Sequence, residues 1–275
     1  MSDAKGLEIR ERTAPGSDVV YEAIHAEGIE ELERPSGGLL ASGIGAGLAM
    51  GFSFLVPALL YAHIPTDAKW APLIYALGYP IGFIIVILGR QQLFTENTVT
   101  ATLPVFSREK SLTDMLRVWG VVLVANVIGA ALLALVLAKL DVVDVETHLA
   151  LKKVAEAAHA TTFATAFLRA IFAGWLIALV VWLLPFAETA RLGVIFVLTW
   201  IIGVAHFPHI VAGTVDGMFL VFVGERPFAS FAIDYFVPAL LGNVIGGVLL
   251  VAAINHWQVG ARRDRQDAAD GIIVA

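Results

Sequence analysis

The sequence predicts an all-α polytopic membrane protein with six transmembrane helices in two inverted three-helix repeats, the second and fifth helices being broken. Three observations predict it. First, 58% of the 275 residues are hydrophobic and only 15% are charged, proportions far from those of a soluble domain. Second, six apolar stretches, at 39–62, 71–106, 113–138, 163–185, 192–223 and 235–254, reach the roughly 20 residues that a helix needs to cross the hydrocarbon core. Third, the phrase Ala125-Asn126-Val127-Ile128-Gly129-Ala130 returns 117 residues later as Gly242-Asn243-Val244-Ile245-Gly246-Gly247. Internal duplication in a lipid-embedded chain marks two related halves that enclose a site near the bilayer midplane.

The elements follow in order. Residues 1–38 form an acidic N-terminal tail: up to Arg34 it holds nine acids against four bases, nearly all of the chain's net −6. The acidity is local to the tail and implies no basic partner and no nucleic acid. The polar start predicts no cleavable signal, so the first span is retained. Within the tail, Val20, Ile24 and Leu32 recur near helical spacing, with Asp18 as N-cap and Pro35 beyond the end. This predicts an amphipathic helix against the cytoplasmic mouth.

The first repeat covers 39–138, a periplasmic connection 139–162, the second repeat 163–257, and a cytoplasmic C-terminal tail 258–275. Gly43, Gly47 and Gly51 in the first span, and Gly242 with Gly246 in the last, stand four residues apart and predict close helix contact. Asn126, Gly129, Asn243 and Gly246 are the packing residues of the repeat. Basic residues set the orientation: Arg108, Lys110, Arg117, Arg191, Arg262, Arg263 and Arg265 fall on the side of the termini, and Lys69, Lys152, Lys153 and Arg226 on the other. Both termini are therefore read as cytoplasmic.

The second apolar run contains Gly89-Arg90-Gln91-Gln92-Leu93-Phe94-Thr95-Glu96, too polar to face lipid. Non-helical backbone survives at membrane depth only where it is buried in protein or lines a cavity. The fifth run is interrupted at Gly203-Val204-Ala205-His206-Phe207-Pro208-His209, where Pro208 removes a donor and disfavours helix at Phe207. Both breaks precede the repeated phrase by similar distances, so they belong to the duplication.

These residues resemble the formate/nitrite transporter family. Leu93-Phe94-Thr95 is similar to the family's loop motif after its first half-helix, Phe207-Pro208-His209 to the segment around its central histidine, and Asp234 to Gly247 to its last span. The resemblance covers about residues 36–258, and the longer acidic tail looks closer to the YfdC-like branch. It implies a homopentamer of aquaporin-like protomers, each passing a small monovalent anion such as formate or nitrite. It places His209 at the centre, Thr95 as its partner, and Leu93 and Phe94 at the loop constriction. Phe207, Tyr79, Phe83 and Ile202 join them along the path. Where formate-carrying members have a vestibule lysine and two asparagines, this chain has Ala158, Gly174 and Gly213.

An anion in a narrow apolar constriction loses hydration worth several kcal/mol, roughly; a neutral acid loses far less. A proton supplied through His209 would let a weak acid cross neutral. Glu96, Asp216, Arg90 and Arg169 are candidate selectivity charges. They either pair and reach the interface, or the carboxylates draw cations, so a monovalent-cation channel is the alternative on the same scaffold. A non-transporting scaffold is a further alternative. The lack of Asn-Pro-Ala at either break argues against an aquaporin-like neutral-solute channel. No cysteine is present, and no nucleophile–base pair or metal triad is legible. The chain is therefore expected to be no enzyme and to carry no metal or cofactor.

Overall fold

Glycine, proline and capping residues decide where each helix begins and ends. The protein, described here as a computed structural model, is resolved in detail over residues 15–269, with side chains to Ala261. Asp3, Glu8 and Glu11 of the tail and the side chains of Arg262, Arg263 and Arg265 lie outside the described residues. Helix α1 (Ser17–Glu33) starts one residue before the expected cap: Gly16 occupies that position, and Asp18 sits in the first turn. Pro35 ends it, as the sequence predicts, and α2 (Ser36–Met50) follows directly. Gly51 joins α2 to α3 (Phe52–His63), and together they make a 28-residue apolar span.

A short helix α4 (Ala71–Tyr75) and a 3₁₀ turn lead into α5 (Pro80–Leu88). The chain then breaks, restarts as α6 (Phe94–Thr100) and closes with the single turn α7 (Leu103–Phe106). Helix α8 (Leu112–Lys139) opens on a reciprocal capping box between Ser111 and Asp114. Helix α9 (Val145–His159) is capped by Asp144, which accepts from the Thr147 amide at 2.7 Å. Then come α10 (Phe163–Leu183), α11 (Arg191–Val204), the second break, and α12 (Ala212–Val223). The last span is continuous: α13 (Phe228–Phe231), a π-helical stretch, α14 (Val237–Gly247), a second π-helical stretch, and α15 (Ile254–Ala269).

Among the described residues, five helical stretches are long and apolar enough to cross a membrane, and α12 is a shorter apolar helix. The repeated asparagines do more than pack. Asn126 Oδ1 accepts from the Phe94 amide at 2.9 Å, and its Nδ2 donates to the carbonyls of Gly43 and Gln92 at 2.8 and 2.9 Å. Asn243 accepts from the Ile210 amide at 2.8 Å and donates to the carbonyls of Ala170 and Pro208 at 2.8 and 3.0 Å. Each asparagine thus ties one break to the first helix of its own half. An offset of 116 residues carries Gln92 onto Pro208 and Phe94 onto Ile210. It also carries Arg90 onto His206, two non-glycine residues with φ of 54° and 50°. The residue equivalent to Phe94 is therefore Ile210 rather than Phe207, although Phe207 is the phenylalanine of the second break.

The glycines permit this approach. A Cβ on Gly47 would lie 2.2 Å from the Asn126 carbonyl oxygen, and one on Gly129 2.2 Å from that of Ile44. In the other half, a Cβ on Gly174 would lie 2.3 Å from the Asn243 carbonyl oxygen and one on Gly246 2.2 Å from that of Ile171. Backbone cannot yield as a flexible side chain does, so even one methyl separates the helices. Gly246→Ala is expected to destabilise by about 1–3 kcal/mol, seen as a lower melting temperature in detergent. An unchanged melt would show that α10 and α14 are free to part.

Candidate functional site

The two breaks bring Thr95 and His209 together at the centre of the bundle. Thr95 Oγ1 lies 2.8 Å from His209 Nε2, and both residues are 1% exposed. His209 Nδ1 accepts from the Ala212 amide at 3.3 Å and so caps α12. An amide can only donate, so Nδ1 carries a lone pair, and the proton of the neutral ring sits on Nε2 and is given to Thr95. Phe83 stands edge-on to the imidazole, with ring centroids 4.9 Å apart, and Tyr79 packs on Phe83 at 5.4 Å. Phe83, Thr95 and His209 are buried and form a closed septum.

A cavity opens on each side of it. The one beneath α1, about 500 Å³, is lined by Leu93, Glu96 and Arg90 together with Glu27, Glu30, Glu31, Arg34 and Arg191. The other, on the α9 side and about 290 Å³, is lined by Tyr79, Ile202, Phe207 and Asp216 with His206, Lys153 and Tyr235. Of the remaining expected residues, Phe94 lines neither cavity: its ring packs edge-on against Trp119. Phe207 is stacked on Phe172 at 5.3 Å while reaching the cavity. Arg169 is exposed on α10 and lines neither cavity.

Arg90 pairs with Glu27 of α1 at 2.8 Å rather than with Glu96. Helix α1 is held by more than this bond. Its Glu31 carboxylate is buried and accepts from Asn97 at 2.8 Å, from Gln92 at 3.3 Å and from the Thr100 hydroxyl. Burial raises the Glu31 carboxyl from 4.5 to about 7; the three hydrogen bonds oppose the rise and the Glu27 charge adds to it. A Cβ on Gly28 would overlap the Thr100 carbonyl, so α1 lies directly on the half-helix that carries Thr95. Lys110 binds Glu33 at 2.6 Å, and Arg117 donates to the Leu32 and Arg34 carbonyls at 2.5 and 3.2 Å.

There is no room for asparagine at Gly174 or Gly213. A Cβ on Gly174 meets the Asn243 backbone, and one on Gly213 falls 1.9 Å from the Tyr235 hydroxyl. Tyr235 therefore supplies a polar group where Gly213 has none. Sequence reasoning passed over Tyr235, Glu31 and His159; each acts through a partner 22 or more residues away, and no local motif marks it.

A membrane bundle with a buried histidine–threonine contact between two half-helices, and a cavity on either side, belongs to the class of helical membrane transport proteins. A profile of the formate/nitrite transporter family matches residues 18–257. The chain belongs to that family. The inner membrane protein YfdC of Escherichia coli (strain K12) is 38% identical over 258 residues, spanning 93% of this chain and 83% of that protein. A solved structure described as an FNT family ion channel superposes with a TM-score of 0.76 at 20% identity, covering 87% of this chain and 98% of that one. A pentameric formate channel with formate bound superposes at 0.67 and 21% identity, covering 82% and 98%.

Proposed function

We propose that the protein is a homopentameric channel of a bacterial inner membrane, passing a small monovalent, formate- or nitrite-like anion through each protomer. In this reading six spans form two inverted three-helix repeats in an aquaporin-like protomer, with both termini cytoplasmic. The cavity under α1 is then cytoplasmic and the α9 cavity periplasmic. The observation that carries it is the Thr95–His209 contact at the septum between the two cavities. Its neutral imidazole, fixed by the Ala212 amide, offers a hydrogen-bond donor to an anion once Thr95 turns aside. The relatives' names support the substrate class, and the chemistry is permeation rather than catalysis.

A second reading rests on a specific observation: Glu96 faces one cavity and Asp216 the other, so a carboxylate lines each side of a monovalent-cation path. Flux of formate, nitrite, lactate and monovalent cations into proteoliposomes separates the readings; a cation-selective reversal potential would end the anion reading. His209→Ala removes the central donor and uncaps α12. It is expected to lower anion flux about tenfold or more at equal oligomer yield, and undiminished flux would reduce the histidine to a packing residue.

A further inference from the structure

Two buried histidines flank the α9-side cavity, and they differ in what their rings can accept. His209 has its Nδ1 occupied by the Ala212 amide. His159, at the end of α9, is 3% exposed; its Nε2 lies 2.8 Å from Asp216 Oδ1, and its Nδ1 has no partner. A proton arriving at His159 Nδ1 breaks no existing bond. The site is built for the ring: a Cβ on Gly217 would come within 2.7 Å of its Cε1, and Tyr235 packs on its face with centroids 3.9 Å apart. Asp216 itself lines the cavity.

The tie has a counterpart in the other half. The 116-residue offset that relates the breaks carries Thr100 onto Asp216. Thr100 is bound by Glu31, which stands at the end of α1 as His159 stands at the end of α9. Each covering helix therefore ends on a titratable side chain joined to the same place on its half-helix. On the α9 side the carboxylate stands on the half-helix, as Asp216; on the α1 side it stands on the covering helix, as Glu31, and each lines its cavity. Around the pair stand the hydroxyls of Tyr79 and Tyr235, with Lys153 and His206 lining the same cavity. Arg226 donates to the His159 carbonyl at 2.9 Å and lies 3.5 Å from Asp234.

We propose that the His159–Asp216 pair is the selectivity site of the α9-side cavity. When His159 is neutral the pair is net negative, so the cavity repels anions; a proton taken up at Nδ1 makes the pair neutral and admits a small monovalent anion. The pair thus ties anion admission to the proton held at His159 Nδ1, and so to acidity on that face. This rests on the anion reading given above.

The test is uptake of labelled formate by proteoliposomes of the full-length protein, with equal pH inside and out, from about pH 5 to about pH 8. Asp216→Asn keeps the shape and removes the charge. It should match the wild type at the acid end and carry formate about tenfold faster, the equivalent of about 1.4 kcal/mol, at the alkaline end. His159→Gln keeps the carboxylate unneutralised and should be slower than wild type at the acid end only. Asp216→Glu should restore the wild-type profile. Ratios of variant to wild-type flux that are flat with pH for both Asp216→Asn and His159→Gln would overturn the proposal while leaving the anion reading intact. A wild type that carries cations and no formate overturns the anion reading; the site then stands if Asp216→Asn lowers cation flux and falls if it does not. A wild type that carries neither overturns both.

Discussion

Asn126→Ala and Asn243→Ala are each expected to destabilise the protein by about 3–6 kcal/mol, enough to lose the assembled form. Each asparagine satisfies one amide and two carbonyls at a break in the backbone, and both asparagines are fully buried. Removing the carboxamide strands three polar groups with no water to replace it, at about 1–3 kcal/mol each; some relaxation brings the sum below the upper limit. The loss should exceed that of any exposed substitution on the same helices. Detergent extraction with size-exclusion chromatography and a thermal melt reads it directly. A well-assembled Asn126→Ala protein with a wild-type melt would mean that the break is held by the glycine contacts alone.

The second large effect concerns α1. The Glu31 carboxyl is raised from 4.5 to about 7 in the folded protein, so between those values the folded form binds a proton that the undocked form has lost. Stability from this group is then fully present below about pH 4.5, falls as pH rises through the window, and stays low above about pH 7. The difference is about 3 kcal/mol, since each pKa unit is worth about 1.4 kcal/mol. Glu31→Gln keeps a neutral side chain among the same donors and should make docking of α1 insensitive to pH. The chain has no cysteine, so a spin label on Ala26→Cys, an exposed position of α1, reports that helix alone. Its mobility should increase from pH 5 to pH 8 in the otherwise native chain and stay constant with Glu31→Gln. Constant mobility in both would remove Glu31 as the titrating group.

Much of this architecture is legible in the sequence because backbone economy in a membrane leaves marks. The duplicated Asn-Val-Ile-Gly, the glycines at four-residue spacing and the proline at Pro208 each answer to a packing or hydrogen-bonding demand. From them the broken helices follow, and the resemblance to the formate/nitrite transporter family adds the pairing of Thr95 with His209. The register of the repeat was less legible: Phe207 resembles Phe94 chemically, but the amide held by Asn243 belongs to Ile210. A chemical match between side chains does not fix an equivalence that the backbone decides. The ties of α1 and α9 left no mark at all. Glu31 meets Thr100 across 69 residues and His159 meets Asp216 across 57, and neither pair has a spacing that distinguishes it from ordinary surface charge. Gly213 read as a missing polar group; the Tyr235 hydroxyl that takes its space comes from another helix.

The closed septum of Phe83, Thr95 and His209 has an electrical consequence. A membrane voltage divides in proportion to resistance, and two cavities that admit electrolyte would be conductors beside a thin insulating layer. Most of the potential therefore falls across the few ångströms at the septum instead of along the whole thickness of the bilayer. One elementary charge crossing there works against about 2.3 kcal/mol for each 100 mV, while a neutral acid crosses with no electrical work. Whichever form passes, the voltage dependence of flux is set at that single layer of side chains.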